Sequence, residues 1–178
     1  MPDLSELPSG ARVFVDTNIF HFHFQGKSVS CSDFILRIIR GEVEAYVNTQ
    51  VLSDLLHKLM ITEAVTKHCI KSNNPFELKK YLKDNRGNTF PLTDYQTHFE
   101  NTLRFGLNVL PINEKLLVDT KIEREAYFLM TGDSLHLGTM NRCTMKRHKA
   151  PIRDIVTKDA DFVLIPSLTV WKPDDVTW

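Results

Sequence analysis

Residues 13–20 of this chain read VFVDTNIF. An apolar run meets an acid, a hydroxyl and an amide before apolar residues resume. Asp, Thr and Asn bond readily to nearby backbone, so a tight turn or a helix cap is the plain explanation. A second explanation is a metal ligand, because Asp16 stands at the end of a buried-strand pattern, where an unpaired carboxylate is costly. Three more acidic islands lie further along: Asp54 in VLSDLL (51–56), Asp133 in GDSLHLGTM (132–140), and Asp159 with Asp161 in IVTKDADF (155–162). Four carboxylates from four segments suit a hard cation such as Mg²⁺ or Mn²⁺, which takes carboxylate oxygens and keeps several waters. That much like charge in one place needs a cation to neutralise it.

Convergence depends on the elements that carry these acids. Residues 12–15 and 44–48 read as short buried strands, with further strands expected over 107–112, 152–157 and 168–171. Phe34, Ile35, Ile38 and Ile39 recur at helical spacing within 30–40, and Gly41 stops that helix. Thr49 is placed to cap a strong helix whose stripe is Val51, Leu52, Leu55, Leu56, Leu59 and Met60. Residues 19–25 alternate, yet a strand does not easily continue through Asp16–Asn18. One long helix is expected over 113–130, then a break at Thr131-Gly132 and a new helix from Asp133. Strands alternating with helices give an α/β class: a three-layer α/β/α arrangement around a mostly parallel sheet. Ligands of such sheets sit beyond the carboxyl ends of the strands. Asp16, Asp54, Asp133, Asp159 and Asp161 all fall at or near that edge.

The ordered set of VFVDTN, VLSDLL, GDSLHLGTM and IVTKDADF resembles the PIN-domain ribonucleases, and among them the VapC-like toxins of toxin–antitoxin pairs. The resemblance runs over roughly residues 12–171 and rests on four short islands. It implies a single PIN-like domain over 1–178 with a helical excursion at about 61–105. It implies catalytic, metal-holding roles for Asp16, Asp54, Asp133 and Asp159, with Asp161 auxiliary and Thr17, Asn18 and Thr157 in support. It also implies an RNA substrate, a homodimer and an antitoxin partner. The second acid of the family is usually glutamate; here the shorter Asp54 stands in its place. A PIN-like binding module without turnover is the alternative that this shortening permits.

Bulk properties fit that class. Apolar residues are 42% and charged residues 25%, ordinary for a globular protein. Twenty-two basic residues balance twenty-two acidic ones, so any nucleic-acid contact rests on a local patch. The densest is KRHK: Lys146, Arg147 and Lys149, with Arg142 upstream, are candidates for RNA phosphate contact. Cys31, Cys69 and Cys143 are widely spaced, which indicates neither a disulfide framework nor a zinc knuckle. The opening MPDLSELPSG has no signal pattern, and no apolar run approaches the ~20 residues that span a bilayer. A cytoplasmic protein without a membrane segment is the expectation. His21 and His23 form an H-x-H without partner ligands, and His136 reads as a helix-packing residue. A dehalogenase-like aspartyl nucleophile wants a second acid two residues after the first; that position is Asn18. Phe76, Leu78, Tyr81, Leu82, Phe90 and Leu92 in the middle segment carry apolar surface that points to the dimer.

Overall fold

The computed structural model describes residues 1–143 and 150–176. Its strands are β1 (Arg12–Val15), β2 (Glu44–Asn48), β3 (Asn108–Leu110), β4 (Asp154–Val156) and β5 (Thr169–Trp171). They form one sheet, parallel throughout, in the order β3-β2-β1-β4-β5. Val13 pairs with Ala45 on one side and Asp154 on the other. Val13, Phe14 and Val15 of the central strand are fully buried, as a sheet covered on both faces requires.

The covering helices are α1 (Thr17–Phe24), α2 (Val29–Ile39), α3 (Thr49–Thr66), α4 (Pro75–Asp84), α5 (Asp94–Leu103), α6 (Glu114–Asp119), α7 (Lys121–Tyr127) and α8 (Thr131–Asn141). α1 packs on α2 and α3, and α3 packs on α5; α6 and α7 pack on α8. The result is the three-layer α/β/α arrangement. No helix among the described residues is long and apolar enough to cross a membrane.

Four local expectations are corrected. Residues 17–24 are helical: Ile19 and Phe20 are buried and the remaining apolar residues are half-buried, so no polar face marks the period. The cap of α3 is Asn48, whose Oδ1 accepts the Val51 N–H at 3.0 Å, and Thr49 is the first helical residue. The helix α8 already includes Thr131 and Gly132, so Asp133 is its third residue. The long helix expected over 113–130 is broken in two at Thr120. That side chain is buried, and its hydroxyl donates to the Leu117 carbonyl at 3.2 Å while accepting from Arg124 Nη1 at 3.0 Å. Such back-bonding by threonine competes with the helical ladder and bends it.

The bend fits the α6–α7 junction against α8 at Gly138. A β-carbon at that glycine would collide with Thr120 Cγ2. Thr120 is β-branched and buried, so it has little room to yield. Gly138→Ala is therefore expected to destabilise by about 1–3 kcal/mol in urea unfolding. Adding Thr120→Ser, which removes the methyl and keeps the hydroxyl, is expected to restore most of that loss.

The helical excursion builds a small core of its own. Ile61, Ala64, Ile70, Leu78 and Leu92 cluster apart from the main core, with Tyr81 and Leu82 packed against them. Leu78 and Leu92 are thus hidden within the chain, while Phe76 and Phe90 stay exposed. Glu63 ties this unit down. Its buried carboxylate accepts the Thr93 and Tyr95 N–H groups, both at 2.7 Å, and pairs with Lys67. It supplies the cap that Thr93 does not give to α5. Burial pushes the Glu63 carboxyl up, but the bonds from Lys67, Tyr95 and Thr93 outweigh it and hold it below the ordinary range.

Candidate metal centre

Strand order reverses between β1 and β4: the chain runs outward from β1 through β2 to β3, then returns to the other side. In an open parallel sheet such a switch point leaves a crevice beyond the strand ends. Asp16 follows β1 directly and Asp159 follows β4. The two loops are laced together. Asp16 Oδ1 accepts the Thr17 N–H at 2.5 Å. Its Oδ2 accepts from Asn18 Nδ2 at 2.5 Å and from the Thr157 hydroxyl at 2.6 Å. Asn18 also accepts the Lys158 N–H at 3.3 Å, and Thr157 Oγ1 accepts the Asp159 N–H at 2.9 Å. The Thr17 hydroxyl donates to the Val51 carbonyl at 3.3 Å, tying the loop to α3. Three bonds therefore fall on Asp16, leaving about one free lone-pair position on its carboxylate.

Asp133, Asp159 and Asp161 meet in this crevice. One carboxylate oxygen from each lies within 4.8 Å of the others. Asp159 Oδ1 accepts the Asp161 N–H at 2.9 Å, which opens a 3-10 helix over Ala160–Leu164 and turns Asp161 back beside it. Burial and the charges of Asp159, Asp16 and Asp161 push the Asp133 carboxyl up to about 6. Burial is the largest cause of that shift, and the neighbouring carboxylates add to it. All-oxygen donors in that condition fit a hard divalent cation.

Asp54 is half-buried on α3. Its Oδ1 accepts from Gln50 Nε2 at 2.8 Å on the same helix, and it is not among the acids that raise Asp133. It acts instead on His136, together with Asp16 and Asp159. His136 lies buried beneath the acids, its ring centroid 5.3 Å from that of Phe14. Asn48 fixes its state. Asn48 Oδ1 is taken by the α3 cap, so Nδ2 donates, to His136 Nδ1 at 3.2 Å and to Thr139 Oγ1 at 3.1 Å. His136 Nδ1 is then the acceptor and Nε2 carries the proton. Burial lowers its pKa, partly opposed by Asp16, Asp54 and Asp159.

The basic residues divide. Arg142 is committed to buried Glu123, with Nη1 donating to Oε1 at 2.5 Å, and does not offer the free phosphate contact expected of it. Lys146, Arg147 and Lys149 lie outside the described residues.

No protein-family model matches the sequence, and no curated protein resembles it significantly. Solved structures do match in fold. A chain in the crystal structure of VapBC2 from Rickettsia felis bound to a DNA fragment from their promoter is similar over 92% of this chain and 99% of that one. The TM-score is 0.53 and the identity 14%. This is a PIN-type fold. A toxin–antitoxin complex from Klebsiella pneumoniae gives a TM-score of 0.47 at 14% identity, over 88% of this chain and 95% of that one. In the PIN-type fold described here, the carboxyl edge of the sheet carries Asp16, Asp133, Asp159 and Asp161.

The raised Asp133 makes a prediction for the metal-free protein. Its folded pKa lies above its unfolded one, so the folded state binds this proton more tightly, and this group's penalty is relieved as pH falls through 6. EDTA-treated protein is expected to gain on the order of 1 kcal/mol from this site between pH 7 and pH 5, after discounting for solvent screening. Urea unfolding at the two pH values measures it. Asp133→Asn should abolish that pH dependence and unfold later than wild type at pH 7. Mg²⁺ or Mn²⁺ should stabilise wild type at pH 7 and leave Asp133→Asn almost unmoved.

Proposed function

We propose that this chain is a divalent-metal-dependent ribonuclease that cleaves RNA phosphodiester bonds. The observation that carries the reading is the meeting of Asp133, Asp159 and Asp161 within 4.8 Å at the carboxyl edge of a PIN-type sheet. Asp133, Asp159 and Asp161 would hold Mg²⁺ or Mn²⁺, with Asp16 completing the set through its free lone pair and Asp54 adding its charge from α3. A cation held there would orient a water, lower its pKa and stabilise charge on the phosphorus oxygens. The chain's own part is geometric. Thr17, Asn18 and Thr157 hold the Asp16 carboxylate in one orientation. Neutral His136, fixed by Asn48, supports the underside of the cleft.

The resemblance to VapC-like toxins, together with the VapBC2 fold match, supports a cytoplasmic toxin-type endoribonuclease with an antitoxin partner. A homodimer belongs to the same reading. Leu117, Val118 and Ile122 on α6 and α7 are exposed and offer its interface, alongside Phe76 and Phe90.

Cleavage of an RNA panel with Mg²⁺ or Mn²⁺, against EDTA, is the test. Asp133→Asn removes a charge without breaking the loop lacing, and it is expected to cut cleavage roughly 100-fold or more, nearly 3 kcal/mol in the barrier. Asp16→Asn is a harsher change. Its new amide must face a donor, Thr17 N–H on one side or Asn18 and Thr157 on the other. It should therefore lose activity and also about 1–3 kcal/mol of stability. Asp54→Glu is expected to retain or raise cleavage. RNA binding without cleavage under any metal would favour the binding-module alternative, and equal cleavage by wild type and Asp133→Asn would overturn the site.

A further inference from the structure

Helix α4 turns Leu78, Tyr81 and Leu82 onto the private core of the excursion. It turns Lys79, Lys80 and Lys83 outward, all exposed, and Arg86 is exposed just past its end. Residues three and four apart share one face of a helix, so the three lysines stand together. None of these four cationic side chains makes an ion pair or a hydrogen bond among the described residues.

Lysines on other helices are placed differently. Lys67, Lys115 and Lys121 each pair with an acid one turn away. Lys79 has Lys83 one turn away instead, and like charges at that spacing destabilise a helix. The whole chain balances twenty-two basic against twenty-two acidic residues, so the excess here is local. Over residues 71–90 five basic residues stand against two acids. One of those acids, Glu77, is taken up by the Lys71 and Ser72 backbone N–H groups, both at 3.2 Å.

Three kinds of partner neutralise such a face. A helix that lies on a membrane sinks its apolar face into lipid, and the apolar face of α4 is already used by the private core. Protein interfaces are depleted in lysine at their centres, and a second copy of this chain would bring the same cations together. A nucleic-acid backbone matches what is here: several unpaired cations on long stems, each able to meet a phosphate, with no pocket required. The patch is also set apart from the acids. Ile61 and Ala64 of α3, which share the private core with Leu78, lie about 10–15 Å along the helix axis from Asp54.

We propose that Lys79, Lys80, Lys83 and Arg86 form an RNA contact remote from the acids, which grips the sugar–phosphate backbone without reading its sequence. The inference rests on the nuclease reading for the identity of the polyanion, and its test separates the two.

The probes are a mixed-sequence RNA, a duplex DNA of the same length, and vesicles containing phosphatidylserine. Binding is read by fluorescence anisotropy across a salt series in full-length Asp133→Asn protein, where the RNA stays whole. Adding Lys79→Gln, Lys80→Gln and Lys83→Gln is expected to weaken RNA binding about ten-fold at about 0.1 M salt. The slope of log K against log salt should fall by about 2, at ~0.7 per lost contact. Arginine at the same three positions keeps the charge and should restore binding. Arg40→Gln with Lys115→Gln and Lys121→Gln removes equal charge from three other elements and should change binding less than about two-fold. With the acids intact, the α4 glutamine variant should raise KM and leave kcat within about two-fold of wild type. Glutamine matches lysine in helix propensity, so unfolding should match wild type. Unchanged RNA binding in the α4 variant, or an equal loss in the control variant, overturns the proposal even where cleavage stands. A loss confined to duplex DNA or to vesicles gives the face to those partners and overturns it. An altered oligomeric state with RNA binding intact assigns the face to a protein contact and overturns it as well. Wild type that cleaves nothing, with RNA binding that still falls in the α4 variant, overturns the nuclease reading and supports the remote contact. Wild type that binds no RNA overturns both.

Discussion

The Thr157 hydroxyl at the end of β4 donates to the Asp16 carboxylate at the end of β1, across 2.6 Å. The chain leaves these neighbouring strands for different layers, and nothing in the ladder itself keeps their loops together beyond the last backbone pair. The loops must nevertheless hold several negative charges side by side. Two unit charges about 5 Å apart repel by roughly 3 kcal/mol at an effective dielectric near 20. One hydrogen bond contributes about 1 kcal/mol, or somewhat more with a charged partner, so a single bond would not hold the loops. Lacing through Thr17, Asn18, Thr157 and the Asp159 amide is the scale of restraint that this repulsion demands.

The third acid arrives by another route, and a buried amide makes it possible. Asn48 caps α3 with its oxygen and bonds α8 with its nitrogen, so one side chain joins the helix carrying Asp54 to the helix carrying Asp133. Both polar ends are used, which is the condition for burying an amide without loss. Gly138 completes the fit from the other side by letting Thr120 approach α8. The acidic cleft is thus a property of three layers together rather than of any one loop.

The strands' places along the chain and the edge occupied by the acids were legible because buried parallel strands read as short apolar runs and acids follow them directly. Asp16 and Asp159 needed no more than that. Helix α1 was hidden because apolar residues surround it and erase the period. The break at Thr120 was hidden because its cause is a hydroxyl choosing a carbonyl, which tertiary packing decides. Arg142 reads as a basic-patch residue in sequence, yet buried Glu123, nineteen positions earlier, claims it. His136 and Asn48 carried no signal: a histidine on an apolar helix face and an asparagine at a strand end are ordinary until their shared bond is seen. The excursion at about 61–105 was visible as helix, but its private core was not, so its leucines were misjudged as free surface.

That private core changes how the molecule comes apart. The cluster around Ile61, Ile70, Leu78 and Leu92 meets the rest through α3 and through α5, whose Tyr95 and Phe99 pack on the main core, and Glu63 ties α3 to the start of α5. Helix α4 packs mainly on α3, and an element tied so lightly to the sheet is able to open while the strands stay closed. Amides of α4 should therefore exchange with solvent deuterium together and faster than those of β1. Protonating Glu63, which takes stronger acid than an ordinary glutamate needs, should quicken them selectively. The α4 end of the excursion can then loosen, exchange or tolerate altered length while the sheet keeps the strand-end carboxylates in place.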